Sequence, residues 1–301
     1  MPAPSEALFV DVDPHYRLWA DAHGDPDAPA LLLVMGANAT GVAWPDPLVA
    51  RLAEHHRVLR YDHRDTGRST RAFADHPYPL TALAPDALAV LDAFGVDRAH
   101  AVGMSMGGFL VQLLLLDAPE RLRSATLFST GALAVEPLPP GAVPPPGPTD
   151  EVLALWAHLG EPRDVEEEAA FNLAHWQVLS GAAAGGVFDP DEFHALGERV
   201  RAHAGHDEPT AAHALADQSN LARGAELARV ATPTLVIEAP LDPAFPPPNA
   251  PYLAEQIPGA RLVTIPRMGH ALPTALLDPL ADAILAFTTA VDRDERQVDT
   301  A

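Results

Sequence analysis

Two rhythms of apolar residues alternate along this chain. Short apolar runs closed by glycine or polar residues read as strands, and longer stretches with apolar residues every three or four positions read as helices. Leu8 to Ala22 alternates enough to predict two short strands. Ala30 to Met35 is an apolar run that stops at Gly36, the pattern of a buried strand. Pro45 to His55 predicts a helix with Leu48, Val49 and Leu52 on one face, and Arg57 to Tyr61 the next strand. Thr81 to Phe94 is helical in period, with Gly95 as the stop. An apolar run from Ala99 to Val102, a helix pattern from Phe109 to Leu116 and a strand at Leu122–Phe128 come next. This order implies a mostly parallel sheet covered by helices on both faces.

The rhythm then breaks. Glu136 to Pro148 holds seven prolines and excludes regular structure. Beyond it there are only helical pieces, at Glu151–His158, Val165–Leu179, Asp189–His203 and Thr210–Leu221. The sheet pattern resumes at Pro233–Ile237, then comes a helix at Ala250–Ile257, a strand at Arg261–Ile265 and a final helix at Leu276–Ala290. The expected organisation is an α/β core domain, residues 1–132 and 230–291, interrupted after the sixth strand by a helical cap or lid, residues 133–229. The polar end, 292–301, is expected to fray as a flexible tail.

Composition narrows the function classes. At 301 residues, 48% hydrophobic and 20% charged, the chain can bury a large core. A formal net charge of −22 argues against nucleic acid, which needs a basic footprint. The absence of cysteine excludes disulfides, thiolate metal sites and a cysteine nucleophile. There is no run of 18 or more apolar residues, and Met1 to Glu6 has neither a basic nor an apolar leader segment, so the expectation is a cytoplasmic protein with no membrane association. No H-E-x-x-H, phosphate loop or G-x-G-x-x-G occurs, so no metal or cofactor is expected. A monomer or weak homo-oligomer is expected.

The stretch that carries chemistry is Gly103-Met104-Ser105-Met106-Gly107. It reads G-x-S-x-G between a predicted strand and a predicted helix, the setting in which a serine is lifted above a sheet edge as a nucleophile. A serine hydroxyl needs a base, and the base needs an anion to orient it. His270 leaves the end of the strand at Arg261–Ile265, and Asp242 follows the strand ending near Ala239, so both are expected at the sheet edge that carries Ser105. The chain order Ser105, Asp242, His270 is that of an α/β-hydrolase. Oxyanion donors are expected from the backbone N–H groups of Met106 and of Ala37, in the loop after Met35-Gly36. Gly36, Trp44, Phe109, Trp156, Trp176 and Phe245 are candidate substrate contacts, and Phe188 is a further aromatic that could line an apolar pocket. Asp62, Arg64 and Asp65 form a charged cluster expected to hold a loop rather than do chemistry.

These residues resemble the α/β-hydrolases of the esterase type, and more narrowly the anthracycline methyl esterases of the aclacinomycin methylesterase group. The resemblance is carried by Leu31 to Gly36, Trp44-Pro45-Asp46, Arg60 to Thr70, His76-Pro77-Tyr78, Gly95 to His100, the serine turn, Leu179-Ser180-Gly181 and Ile265 to Pro273. It implies that Ser105, Asp242 and His270 form the catalytic triad, with Met106 and Ala37 as oxyanion donors. It also implies that the substrate is the methyl ester of a bulky aromatic polyketide, cleaved through an acyl-enzyme. Many hydrolases of this fold carry His-Gly where this chain has Met35-Gly36, and Gly where it has Asp65; the methyl esterase group resembles the chain at both places. The Pro-rich stretch departs from the group. A broad carboxylesterase or lactonase would use the same residues, and a ligand-binding protein on this scaffold is the alternative of another class.

Overall fold

The computed structural model describes residues 6–138, 141, 143–206, 208 and 210–299. One eight-stranded sheet runs through the molecule in the order β1-β2-β4-β3-β5-β6-β7-β8. The strands are β1 (Glu6–Asp11), β2 (Arg17–His23), β3 (Ala30–Val34), β4 (Arg57–Tyr61), β5 (Ala99–Met104), β6 (Leu122–Phe128), β7 (Thr234–Glu238) and β8 (Arg261–Thr264). β1 pairs antiparallel with β2, and β2 with β4; every other pairing is parallel.

Alternation along the central strands sorts side chains into two cores. Leu32 and Val34 of β3 join one core, under α2 (Leu83–Ala93), α3 (Met106–Asp117) and α8 (Asn249–Gln256). Leu31 and Leu33 face the other way, onto α1 (Asp46–Leu52) and α9 (Leu277–Asp299). A strand buried on both faces has no polar side to show, which is why its sequence reads as a continuous apolar run.

After β6 the chain leaves the sheet for about a third of its length. Among the described residues, that segment holds α4 (Asp150–Trp156), α5 (Val165–Leu179), α6 (Pro190–Ala204), α7 (Ala212–Leu215) and three short 3₁₀ elements, at Ala182–Ala184, Ser219–Leu221 and Gly224–Arg229. Local chemistry sets the helix starts: Thr149 caps α4, and Asp164 with Glu167 forms a capping box on α5. The Thr210–Leu221 helix is shorter than expected, one turn of α7 and then a separate 3₁₀ turn at Ser219–Leu221. The described part of Glu136–Pro148 has no helix or strand; Pro139, Pro140 and Ala142 lie outside the described residues.

The end of the chain corrects an expectation. Residues 292–299 are not a frayed tail but the last two turns of α9; Thr300 and Ala301 lie outside the described residues. Asp292 is buried and accepts from His100 Nε2 at 3.1 Å and from Arg123 at 3.4 Å. Glu295 accepts from Arg98 at 2.9 Å and from Arg123 at 2.5 Å. The polar residues that looked like a solvated end are partners for charges at the N-terminal ends of β5 and β6. The Thr274–Gln297 segment is long and apolar enough to cross a membrane by length and composition. Here its apolar stripe, Leu277, Leu280, Ala281, Ile284, Phe287 and Val291, is packed in the core.

Candidate active site

The parallel strands deliver three loops to one edge of the sheet. β5 turns into α3 at Ser105, which has φ 56° and ψ −124°, a backbone state that costs a non-glycine residue about 1–3 kcal/mol. The surroundings enforce it. A Cβ on Gly107 would lie 2.0 Å from the Val34 carbonyl oxygen, so only glycine lets α3 start this close to β3. The Thr130 hydroxyl donates to the Ser105 carbonyl at 2.9 Å and braces the turn from the other side.

Asp242 and His270 sit on the loops that leave β7 and β8, and their side chains meet. His270 Nδ1 is 2.9 Å from Asp242 Oδ2 and 3.1 Å from Oδ1, with both residues buried. Asp242 Oδ1 also accepts the Ala244 and Phe245 N–H groups, at 2.8 and 2.9 Å, so the carboxylate is held from two sides. The two loops are tied to each other by the Leu241 N–H on the Met268 carbonyl at 2.9 Å. The end of α5 supports the histidine, whose N–H donates to the Leu179 carbonyl at 2.6 Å. A Cβ on Gly269 would lie 2.3 Å from the Ser180 carbonyl oxygen, so glycine is what allows the histidine loop to press on that helix end.

The loop after β3 passes directly over the serine: a Cβ on Gly36 would sit 3.1 Å from the Ser105 Cβ. Among the described residues, neither the Met106 N–H nor the Ala37 N–H has a hydrogen-bond acceptor. Two unpaired donors flank a serine at the start of a helix, where the helix dipole favours negative charge. The Ser105 hydroxyl likewise has no hydrogen-bond partner among the described residues, and it is partly exposed. The arrangement can accept a carbonyl carbon at Ser105, hold a developing oxyanion and move a proton through His270.

The expected substrate contacts separate into two groups. Phe245 stacks on the His270 ring at 5.8 Å and meets Phe109 edge-on at 5.7 Å. Trp156 of α4 and Trp176 of α5 pack in the same apolar cluster as Phe245, so side chains of the inserted helices reach the loop that carries Asp242. Trp176 also stacks on Phe193, which stacks on Phe188. Trp44 does not belong with them. Its side chain is 0% exposed and lies in the core against Phe128, because it sits just before α1 under the far face of the sheet.

The charged cluster is structural, as expected. Arg64 makes a bidentate pair with Asp86, both bonds 2.7 Å, and contacts Asp13. Asp65 holds φ 63° and accepts the Ala72 and Phe73 N–H groups and the Tyr78 hydroxyl. Asp62 accepts the Gly41 and Arg68 N–H groups at 2.7 and 2.8 Å and pairs with His203 of α6 at 2.7 Å.

Sequence reasoning passes over His175 and His213. His175 Nε2 accepts from the Trp156 indole N–H at 3.1 Å, and burial holds its pKa down at about 4. With 14 histidines in the chain, nothing local marks these two out. Their partners come from distant segments.

The chain is similar to known hydrolases in sequence and in fold. The chain is 47% identical to rhodomycin D methylesterase DauP of Streptomyces sp. (strain C5), over 91% of this chain and 95% of that protein. It is 46% identical to rhodomycin D methylesterase DnrP of Streptomyces peucetius with the same coverage. Among solved structures, a hydrolase from Pseudomonas aeruginosa PA01 is 31% identical with a TM-score of 0.67, covering 94% of this chain and 98% of that one. The alpha/beta hydrolase fold model matches residues 29–273, from the start of β3 to beyond the histidine loop. A match that takes in the whole parallel sheet and its three loops means that this chain belongs to the alpha/beta hydrolase fold family.

Proposed function

We propose that this protein is a serine carboxylic ester hydrolase that removes the methyl group from the carboxylate of an anthracycline-like polyketide. The observation that carries the substrate class is the 46–47% identity to two rhodomycin D methylesterases over 91% of the chain. The 9% left unmatched is smaller than the stretch between β6 and β7, so the similarity reaches into the inserted segment, whose helix α5 ends against the His270 loop.

In the proposed reaction Ser105 Oγ attacks the ester carbonyl as His270 takes its proton through the ring nitrogen facing away from Asp242. Asp242 holds the other nitrogen protonated and stabilises the imidazolium. The oxyanion is received by the Met106 and Ala37 N–H groups, each such donor being worth about 10²–10³ in turnover. His270 protonates the leaving methanol, then activates a water that releases the acid and restores Ser105. Residues 133–229 act as the cap. Trp156, Trp176, Phe109 and Phe245 offer apolar surface to the planar ring system, and a few polar groups such as His175 orient it.

Incubation with an anthracycline methyl ester, with mass spectrometry of the products, tests this reading. Wild type is expected to yield the free acid or its decarboxylated product, and Ser105→Ala to lose about 10⁴-fold or more of that rate. Cleavage of simple esters without the polyketide ester would remove the substrate assignment. Silence on all esters from folded protein would remove the hydrolase assignment.

A further inference from the structure

Among the described residues, no backbone hydrogen bond is made within residues 35–39, the loop that offers the Ala37 N–H. It leaves β3 at Val34 and reaches a 3₁₀ turn at Gly41, and Asn38 within it sits at φ 57°. Two buried histidines hold this loop on either side of Ala37. On one side, His63 Nε2 donates to the Met35 carbonyl at 3.0 Å. On the other, Asn38 and His213 form a reciprocal pair. The Asn38 N–H donates to His213 Nδ1 at 2.8 Å, and the His213 N–H donates to Asn38 Oδ1 at 3.2 Å.

The hydrogen bonds leave His213 one protonation state. A backbone N–H can only donate, so Nδ1 must be unprotonated. The opposite nitrogen, Nε2, lies 2.9 Å from the Arg64 carbonyl, which can only accept, so Nε2 carries the proton. His213 is therefore neutral, and it bridges the β3 loop and the β4 loop. Burial is the main reason that its pKa falls to about 4 and that of His63 to about 3. The two rings meet edge to face at 5.6 Å, with His63 also edge-on to Tyr61. His213 belongs to α7 and is separated from Asn38 by 175 positions, within the segment inserted after β6. Asp62, the carboxylate that acts on the His63 ring, is occupied by the Gly41 and Arg68 N–H groups and by His203, and the Arg64 guanidinium is occupied by Asp86 and Asp13.

We propose that His213 is a positioning residue for ester hydrolysis: through Asn38 it sets the direction of the Ala37 N–H, so that the inserted helical segment contributes to the oxyanion site as well as to the substrate pocket. This rests on the reading of Ser105 and Ala37 given above. A helix of the cap that is docked through His213 completes the donor pair; a displaced one leaves Met106 as the remaining donor.

The test uses the full chain and a small activated ester, 4-nitrophenyl butyrate, with Ser105→Ala as background. His213→Phe keeps a ring of similar size and loses both nitrogens. His213→Asn keeps an acceptor near the place of Nδ1. Asn38→Gly keeps the left-handed backbone and the N–H but loses the side-chain half of the pair. His213→Phe is expected to lower kcat about 10- to 100-fold, part of the loss expected for a missing donor, with KM changed less than about twofold. Affinity for a trifluoromethyl ketone, which forms an oxyanion adduct with the serine, should fall by a similar factor. His213→Asn should recover most of both, and Asn38→Gly should show a smaller loss in the same direction, which keeps the test decisive if His213→Phe does not fold. Unchanged kcat in folded His213→Phe, or in Asn38→Gly when that is the variant that folds, would overturn the proposal. So would a loss in His213→Phe that His213→Asn does not repair. Wild type no faster than Ser105→Ala would instead overturn the serine reading and this proposal with it.

Discussion

Two tryptophans show how one side-chain type takes different work from its surroundings. Trp44 and Trp176 are equally apolar, and the sequence makes both candidates for touching substrate. The first has no exposed surface and fills space between α1 and the sheet, and the second is partly exposed in the cluster that holds Phe245, whose ring stacks on His270. Replacement by alanine should therefore separate them. Trp44→Ala leaves a core cavity and should cost about 3–5 kcal/mol in stability, read by denaturant unfolding. Trp176→Ala should raise KM for a bulky aromatic ester about tenfold or more, while a small ester is cleaved with little change, since the loss is of apolar substrate contact worth about 1.5–3 kcal/mol. If the two variants behaved alike in both assays, the division of the aromatic residues into core and pocket would be wrong. The serine, the histidine and the aspartate stand out in the sequence because each comes after a strand end with a recognisable turn. The proposed oxyanion donors can be placed by position alone, because backbone N–H groups carry no residue signature.

Helix α9 is the element whose local sequence is most misleading. Its apolar spacing ends near Val291, and the residues after it are mostly charged, so the pattern gives no reason to continue the helix. The reason lies in other strands. His100 and Arg123 are carried by β5 and β6, and Arg98 precedes β5, where they face Asp292 and Glu295. His100 Nδ1 is satisfied by Ser124 at 2.7 Å, and nearby His56 Nε2 by Thr288 at 2.9 Å, so α9 closes a polar network beneath the sheet. Truncation after Val291 would leave Arg123 and His100 without these carboxylates. Leaving the buried His100 ring without its acceptor, and the partly exposed Arg123 without its carboxylates, should cost about 1–3 kcal/mol, measurable as a lower denaturant midpoint. Truncation after Gln297 keeps every one of these partners and should be close to neutral. A frayed tail would make the two truncations equivalent.

Titration of the molecule should show the buried histidines collectively. His56, His63 and His213 are each at most 2% exposed, and burial is the first cause of pKa values near 4, 3 and 4 against an ordinary value of 6.5. Well above pH 6.5 both folded and unfolded states hold these rings neutral, and their contribution to stability is complete. As pH falls from there towards 4, the unfolded chain takes up protons that the folded chain refuses, so stability declines, by at most about 1.4 kcal/mol per pH unit for each ring. The carboxylates with lowered pKa, among them Asp21 and Asp292, lose their contribution only at more acid pH, because their ordinary value is already 3.8. The melting temperature is expected to drop steadily between pH 6.5 and 4.5. A flat profile over that interval would contradict neutral burial of the three rings.

Periodicity is sufficient for the sheet, its covering helices and the break after β6, because burying both faces of a parallel sheet forces apolar runs that are visible along the chain. The serine turn is legible too, because the close backbone approaches of Gly103 to Gly107 within the turn and of Gly107 to β3 beside it each demand a glycine, and a glycine is visible in the chain. Side-chain contacts between distant segments leave no such trace. The burial of Trp44, the continuation of α9 through Asp299 and the pairing of Asn38 with His213 each depend on residues that only the folded chain brings together. A side chain's local sequence records the backbone it sits on, whereas its partners are set by packing across the sheet. For that reason the candidate catalytic chemistry is readable along the chain, and the residues that hold it in place are decided in three dimensions.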